Sequence, residues 1–364
     1  MAKRVFNFGP GPAMIPTAVM ERVRDEFLDY QGIGASVIEI SHRSKDFETI
    51  LNTCDQLFRE LLNIPANYQI LYVHGGAQMQ FSAVPMNLMG LRPANKALYV
   101  DSGRFAKLAG EEAKRFGQVE VIASSAKTNY DHIPSITPAM VDPKASYLHI
   151  TSNNTIFGTR WNTFPQTGDV PLVADSTSEI LSRVIDVNKF GLIYAGTQKN
   201  LGPSGLAVVI ARDDLLGHAP ANCPNLLNYA TYKKDHSLTN TPNTFAIYMI
   251  QLVLEWLKGQ GGLAAMEKVN NQKAAMLYDL VDSSGGFFKP YAQKADRSTM
   301  NVCFNLPSEE LLEEFLKGSK AHNLYALKGH RDLGGVRASI YNAMPLEGVK
   351  ALADYMKEFQ KKKG

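Results

Sequence analysis

The feature that most constrains the fold of this 364-residue chain is the alternation of short apolar runs with longer amphipathic stretches. Runs this short and this apolar are typical of strands buried on both faces, and helical stretches such as 104–116 lie between them. The pattern predicts an α/β fold with a mostly parallel sheet and helices on both of its faces. The apolar runs are 70–73, 97–100, 119–122, 147–150, 172–174, 192–194 and 206–210.

The pattern changes after about residue 245, which indicates a second and smaller α+β domain. Two long helical stretches, 245–258 and 263–281, precede a strand-like segment at 300–304 and two further helices. We therefore predict a large domain over 16–258 and a small domain formed by 1–15 with 259–364.

Composition and charge exclude several classes of protein. The formal charge of +3 is too small to predict a nucleic-acid partner. No run approaches the about 18 apolar residues of a membrane helix, and no apolar signal segment follows Lys3 and Arg4. The three cysteines are far apart, which predicts no disulfide framework and no metal site of common spacing. We expect a cytoplasmic protein that binds neither nucleic acid nor membrane.

Polar or glycine-rich segments follow the ends of several predicted strands. They occupy 74–76, 101–103, 175–177 and 196–199. Ligands of parallel α/β sheets bind beyond the carboxyl ends of the strands, so we expect the functional site there.

Lys199 follows the apolar run 192–194 and precedes a tight turn at 201–205. Burial of a lysine lowers the pKa of its amine and makes it a usable nucleophile for a carbonyl group. A lysine at a hairpin tip with its ammonium group in water explains the same residues equally well.

Asp175 also stands at the end of a predicted strand, after 171–174. A carboxylate there could keep the pyridine nitrogen of a pyridoxal phosphate (PLP) cofactor protonated. Its separation from Lys199 suits two adjacent strands of one sheet. The alternative is an aspartate that caps the next turn.

Two further groups of residues could bind anions. The segment 74–78 opens a helical stretch, where backbone amides can hold a phosphate, although glycine pairs at such turns are common without a ligand. Basic side chains occur in pairs at 42–43 and 330–331, with Arg337 nearby. Arginines suit carboxylates and phosphates, but solvated surface charge is the default for any single pair.

Four segments together resemble the phosphoserine aminotransferase family, within class V of the PLP-dependent aminotransferases. They are Gly-Thr-Gln-Lys-Asn-Leu-Gly-Pro-Ser-Gly at 196–205, Ser-His-Arg-Ser-Lys-Asp-Phe at 41–47, Asn-Thr-Pro at 240–242, and the segment 328–343. The last separates this family from other class V members, and the resemblance runs from residue 6 to the C-terminus.

The resemblance implies a type I PLP fold and a homodimer with active sites at the subunit interface. It implies amino transfer between glutamate and 3-phosphohydroxypyruvate, a step of serine biosynthesis. Relatives also process 4-phosphohydroxythreonine in vitamin B6 synthesis, and the sequence leaves open whether this chain does.

The resemblance also implies roles for individual residues. Lys199 would hold the cofactor as a Schiff base and Asp175 would contact its pyridine nitrogen, while Thr155 would bond its phenolic oxygen. The phosphate would be held by Ala77, Gln78 and Gln198, with Asn240 and Thr241 from the neighbouring subunit. The substrate's distal anion would bind His42, Arg43, His330 and Arg331, and its α-carboxylate Arg337.

Two positions depart from the family pattern. Many members have a tryptophan over the cofactor ring where this chain has Phe105, and many have Gly-Arg in place of Ala77-Gln78. A phenyl ring can still stack, with less overlap. The missing arginine removes one possible anion contact.

Three alternatives compete with this interpretation. A class V cysteine desulfurase needs a mobile catalytic cysteine, for which Cys223 is the one loop candidate, since Cys54 and Cys303 fall in helix and strand patterns. The others are an aminotransferase for a different small amino acid and a non-enzymatic binding protein on the same fold.

Overall fold

The computed structural model describes residues 4–364, which form fourteen β-strands and nine α-helices. The strands are β1 (Phe6–Asn7), β2 (Tyr68–His74), β3 (Lys96–Asp101), β4 (Gln118–Ser124), β5 (Leu148–Thr151), β6 (Asn153–Asn154), β7 (Thr159–Arg160), β8 (Leu172–Asp175), β9 (Leu192–Gly196), β10 (Leu206–Arg212), β11 (Lys289–Pro290), β12 (Asn301–Asn305), β13 (Leu324–Tyr325) and β14 (Val336–Ser339). The helices are α1 (Thr17–Glu26), α2 (Lys45–Leu62), α3 (Gly76–Leu88), α4 (Arg104–Ala113), α5 (Tyr229–Lys234), α6 (Thr244–Gly259), α7 (Gly262–Asp282), α8 (Glu309–Ala321) and α9 (Leu346–Lys363).

A seven-stranded sheet forms the centre of the molecule, in the order β2-β10-β9-β8-β5-β3-β4. The pairs β3/β4, β3/β5, β5/β8 and β8/β9 are parallel, whereas β10 is antiparallel to both β2 and β9. The predicted α/β class with a mostly parallel sheet is therefore confirmed. The reversed β10 follows from the short connection after β9, which leaves no room for a helical crossover.

All seven apolar runs form strands of this sheet. The prediction that each of these strands is buried on both faces is wrong for one of them. The run 119–122 lies in β4, whose side chains are mostly exposed or half-buried, and Val121 is 49% exposed. Strand β4 is one of the two edge strands, so it has a neighbouring strand on one side only, and unlike β2 at the other edge it is incompletely covered. Helix α4 also ends at Ala113, earlier than the predicted 116.

Apolar clusters cover both faces of the large sheet, and a separate cluster lies around a three-stranded sheet of order β11-β12-β14. The separate cluster combines Phe8 with residues of α7, α8 and α9. Strand β1 pairs in parallel with β13, which ties the N-terminal segment to this region. The division into 16–258 and 1–15 with 259–364 stays a prediction, and its residues 1–3 lie outside the described part.

One buried lysine anchors α7 to the chain after β14. Lys273 is fully buried, and its amine donates hydrogen bonds to the backbone oxygens of Ile340, Tyr341 and Met344 at 2.8 to 3.1 Å. These three acceptors satisfy a side chain that would otherwise be costly to bury.

None of the helices within residues 4–364 has the length and apolar character that crossing a membrane requires.

Candidate active site

A cavity of about 590 Å³ opens beyond the carboxyl ends of the parallel strands. Its wall includes Thr151 at the end of β5, Asp175 at the end of β8 and Gly76 at the start of α3. Its size is within the range of cofactor and substrate pockets. This is the edge of the sheet at which the sequence predicts a ligand site.

The cavity brings together nine of the residues that the resemblance implicates. They are Ala77, Gln78, Phe105, Thr155, Asp175, Gln198, Lys199, His330 and Arg337. Five others lie outside its wall: His42, Arg43, Asn240, Thr241 and Arg331. The functions of all fourteen stay predictions.

Lys199 points into the cavity, so the alternative of a solvated lysine at a hairpin tip is wrong. Its Nζ donates a hydrogen bond of 2.5 Å to Thr155 Oγ1 and lies 5.8 Å from the centre of the Phe105 ring. Burial lowers the pKa of the Lys199 amine to about 8, and the positive charge of Arg337 adds to this, whereas Asp175 opposes it. The amine is thus neutral far more often than a solvated lysine is.

Asp175 is buried at the end of β8, one strand away from the strand that leads to Lys199. Its Oδ1 accepts hydrogen bonds from Thr177 N at 3.0 Å and Thr177 Oγ1 at 2.5 Å. Burial raises the pKa of the Asp175 carboxyl, and the two bonds and Lys199 partly offset this rise. The alternative interpretation, in which Asp175 caps the next turn, describes Oδ1, which accepts the hydrogen bond from Thr177 N. The described part of the chain supplies no hydrogen bond to Oδ2.

The start of α3 provides one end of the cavity. Gly75 and Gly76 have φ of 87° and 71°, which turn the chain sharply from β2 into α3. Among residues 4–364, no side chain caps this helix start, so its first amides are available to a ligand. A Cβ on Gly196 would lie 2.6 Å from Gln198 Oε1 and 3.2 Å from Ala77 N, so these three residues converge. The arrangement suits a phosphate.

Arg337 and His330 provide a second polar region of the cavity. Arg337 is buried on β14, its Nη1 is 3.4 Å from the backbone oxygen of Thr155, and its Nε has no partner within residues 4–364. Burial lowers the pKa of the guanidinium, which nevertheless stays charged. Burial also lowers the pKa of the His330 imidazole. A buried, partly unpaired guanidinium suits a carboxylate.

The five residues outside the cavity wall are at the surface or close to it. Asn240 and Thr241 are exposed, and Asn240 Oδ1 accepts a hydrogen bond of 2.7 Å from His74 Nε2. His42 is half-buried and Arg43 exposed, in the turn before α2. The Arg331 side chain is 80% exposed.

Several residues of the cavity wall were given no function from the sequence. The wall includes Thr177, Ser178, Asn153, Phe81 and the turn Pro10-Gly11-Pro12. A signal was available for Thr177, because a hydroxyl two residues after an aspartate often bonds to it. Asn153 lies on a short strand that no apolar pattern marks. Residues 10–12 reach the cavity only through the docking of the N-terminal segment.

The sequence matches the family model of class V aminotransferases over residues 5–352. The chain belongs to the class V aminotransferases. A phosphoserine aminotransferase of Geobacillus kaustophilus is 52% identical over 360 residues, covering 99% of both chains. One of Acidithiobacillus ferrooxidans is 50% identical over 364 residues and covers both chains completely.

Solved structures of class V aminotransferases have the same fold as this chain. The phosphoserine aminotransferase of Bacillus circulans subsp. alkalophilus superposes with a TM-score of 0.96 at 46% identity, over 99% of each chain. A PLP-bound phosphoserine aminotransferase of Trichomonas vaginalis superposes with a TM-score of 0.91 at 36% identity, over 97% of this chain and 100% of that one. The predicted type I fold is thereby confirmed.

The cavity of this class V chain fits PLP on its own chemistry. A lysine with a lowered pKa, a buried carboxylate with one free oxygen and an uncapped helix start meet in one space. These are the groups that an aldehyde, a pyridine nitrogen and a phosphate need. In the part of the chain that the structure describes, no cysteine lines this cavity, and burial raises the pKa of all three thiols.

Proposed function

We propose that this chain is a phosphoserine aminotransferase, which uses PLP to transfer an amino group between glutamate and 3-phosphohydroxypyruvate. The observation that carries the proposal is the meeting of Lys199, Asp175 and Arg337 in one cavity, in a chain 52% identical to a phosphoserine aminotransferase over its full length. The products are phosphoserine and 2-oxoglutarate, which gives the protein a place in serine biosynthesis. We also propose that this reaction takes place in the cytoplasm.

Bound PLP supplies an aldehyde that accepts the amino group and a protonated ring that withdraws electrons from the reacting carbon. Lys199 would hold it covalently. The buried Asp175 carboxylate would keep the ring nitrogen protonated, and Thr155 would bond the phenolic oxygen. Phe105 would lie against the ring, and Ala77, Gln78 and Gln198 would hold the phosphate.

Lys199 moves the proton in each half-reaction. Its free amine would remove the proton from the α-carbon of the substrate as a base and would then donate a proton as an acid. A pKa of about 8 suits both tasks, because neither protonation state is rare near neutral pH. In the second half-reaction the same amine would move the proton in the opposite direction.

The two substrates differ mainly in the anion at their far end, which is a carboxylate in one and a phosphate in the other. Arg337 binds the α-carboxylate that both share. His330 lies in the cavity wall, where it would contact the distal anion. Arg331 is the next residue along the chain and would bind the same anion. A group of histidine and arginine side chains can hold either anion.

The remaining predicted ligands act from a second subunit of a homodimer. His42, Arg43, Asn240 and Thr241 do not line the cavity of their own chain, and His42 Nε2 is buried without a partner within residues 4–364. The segment 28–38, which precedes His42 and Arg43 in the chain, carries exposed apolar side chains, with Leu28 81% and Ile38 51% exposed. Apolar surface of this kind is typical of an interface between subunits. We therefore propose that each active site contains residues from both subunits.

The proposal is tested by the absorption spectrum of the purified protein during one half-reaction. Glutamate alone should convert the band of the lysine-bound cofactor into that of its amino form. Added 3-phosphohydroxypyruvate should restore the first band, whereas pyruvate and glyoxylate should not. A protein that binds PLP but shows no spectral change with glutamate would refute the proposed substrates. A protein that cannot be loaded with PLP would refute the proposal that it is a PLP-dependent enzyme.

The same assay tests a further substrate. Restoration of the first band by the oxo acid of 4-phosphohydroxythreonine would extend the substrates to vitamin B6 synthesis. A cysteine desulfurase is not favoured, because Cys223, its one loop candidate, lies outside the described cavity wall.

A further inference from the structure

The hydroxyl of Thr177 lies between the two strands that carry the central residues of the site. Thr177 Oγ1 is 2.5 Å from Asp175 Oδ1 and 3.1 Å from the backbone nitrogen of Gly196. The residue is 7% exposed and lines the cavity. It follows β8, whereas Gly196 ends β9, the strand that leads to Lys199.

The directions of these two hydrogen bonds are fixed by chemistry. The backbone N–H of Gly196 can only donate, so Thr177 Oγ1 accepts there. The single hydroxyl hydrogen is then free for Asp175, whose ionised carboxylate can only accept. Thr177 N donates to the same oxygen at 3.0 Å. Two donors, Thr177 N and the Thr177 hydroxyl, therefore hold the carboxylate through Oδ1. The hydroxyl is itself oriented by the backbone N–H of Gly196 on β9.

We propose that Thr177 is a positioning residue that fixes Asp175 through Oδ1 and leaves Oδ2 as the oxygen for the ring nitrogen of the cofactor. This inference rests on the proposed PLP function and adds a residue to it. Thr177 need not touch the reacting atoms. It acts by preventing rotation of the carboxylate and by tying the strand of Asp175 to the strand of Lys199.

The charge of Asp175 depends on the same contact. Burial favours the neutral acid, and the two donors from Thr177 oppose this by stabilising the anion. A neutral Asp175 would be a poor partner for a protonated pyridine. Loss of the hydroxyl should therefore weaken one interaction of the cofactor, the one at its ring nitrogen, and leave its aldehyde and phosphate contacts intact.

The experiment measures cofactor binding by the full-length apoprotein, with PLP and with 1-deaza-PLP, in which a carbon replaces the ring nitrogen. Thr177→Val keeps the shape of the side chain and removes the hydroxyl, and Thr177→Ser keeps the hydroxyl and removes the methyl group. Ser152→Ala is a matched control, because Ser152 Oγ bonds to the backbone oxygen of Asp175 instead of its carboxylate. Circular dichroism checks that each apoprotein is folded.

Thr177→Val should raise the dissociation constant of PLP about tenfold, because a hydrogen bond to a charged group is lost. Its affinity for 1-deaza-PLP should equal that of the wild type, and Thr177→Ser should bind PLP nearly as the wild type does. In the Val variant, the bound cofactor should also lose its ring proton at lower pH. Ser152→Ala should show no preference between the two ligands beyond that of the wild type.

Equal weakening of both ligands in Thr177→Val would overturn the inference, since it would indicate a general structural role. Equal PLP affinity of the Val and Ser variants would overturn it as well. Should Thr177→Val not fold, Thr177→Ala lacks the same hydroxyl and decides the question by the same comparison. A wild-type protein that does not bind PLP would overturn the proposed function together with this inference, whereas the first two outcomes leave that function intact.

Discussion

Lys199 and Thr155 are joined by a hydrogen bond of 2.5 Å between Nζ and Oγ1. This bond orients the amine within the cavity, beside the Phe105 ring. Thr155 is the residue expected to bond the phenolic oxygen of PLP, so the same hydroxyl that holds the lysine here would contact the cofactor once it is bound. The site therefore presents its nucleophile already oriented.

The rate at which the apoprotein attaches PLP should depend on pH through the Lys199 amine. Its pKa is lowered to about 8, and only the free amine attacks an aldehyde. The rate should therefore rise as the pH rises toward 8 and level off above it. Stopped-flow absorbance of the apoprotein mixed with PLP measures this. A rate that keeps rising to pH 10, the range of an ordinary lysine, would contradict the lowered pKa.

Arg337→Lys should raise KM for glutamate about 10- to 100-fold and change kcat less. Lysine keeps the charge but loses the paired N–H groups that fit a carboxylate, and a contact made equally in ground and transition states affects KM. Steady-state kinetics measure both constants. Arg212→Lys, on β10 and paired with Asp214, is the control and should leave KM unchanged. An unaltered KM in Arg337→Lys would remove Arg337 from the substrate site.

Two inactive variants should complement each other if active sites are shared between subunits. Lys199→Ala and Arg43→Ala should each lose activity alone. When equal amounts are unfolded, mixed and refolded, half of the dimers are mixed and each has one intact site, so about a quarter of wild-type activity should return. Activity assays on the mixture, with each variant refolded alone as the control, measure this. No recovery, although mixed dimers form, would place Lys199 and Arg43 in the site of one chain.

Lys273→Met should lower the free energy of unfolding by about 2 to 4 kcal/mol, because three buried backbone oxygens lose their donor. Thermal unfolding of the cofactor-free protein measures the change. Lys268→Met is the matched control, since Lys268 is exposed on the same helix and should change stability by less than about 0.5 kcal/mol. Equal effects of both substitutions would show that the three bonds contribute little.

Much of the fold could be predicted from the sequence because strand and helix periodicity are local properties. The seven apolar runs became the seven strands of the large sheet, Asp175 ends β8 as predicted, and Lys199 lies in the turn after β9. The exposure of β4 could not be predicted in this way. Whether an apolar strand is central or at an edge depends on the order of strands, which no single run contains.

The contrast between Arg331 and Arg337 shows what the sequence alone left undetermined. Both arginines belong to one segment, 328–343, which marks the family. Arg337 is buried in the cavity because it lies on β14, in register with Cys303 of β12, whereas Arg331 is in the preceding loop and its side chain is exposed. Strand register is set by contacts between distant segments, so spacing along the chain could not separate the two.

The sequence by itself determined the fold class, because that depends on local patterns of apolar and polar residues. It also determined the family, through segments that resemble it, and that resemblance implied the roles of Lys199 and Asp175. The tertiary structure alone decided that Thr177 links Asp175 to Gly196, that Thr155 holds the Lys199 amine, and that residues 10–12 reach the cavity. It also left His42, Arg43, Asn240 and Thr241 outside the cavity of their own chain. The physical reason is that hydrogen bonds act over about 3 Å and join whatever groups folding brings together, regardless of their separation in sequence.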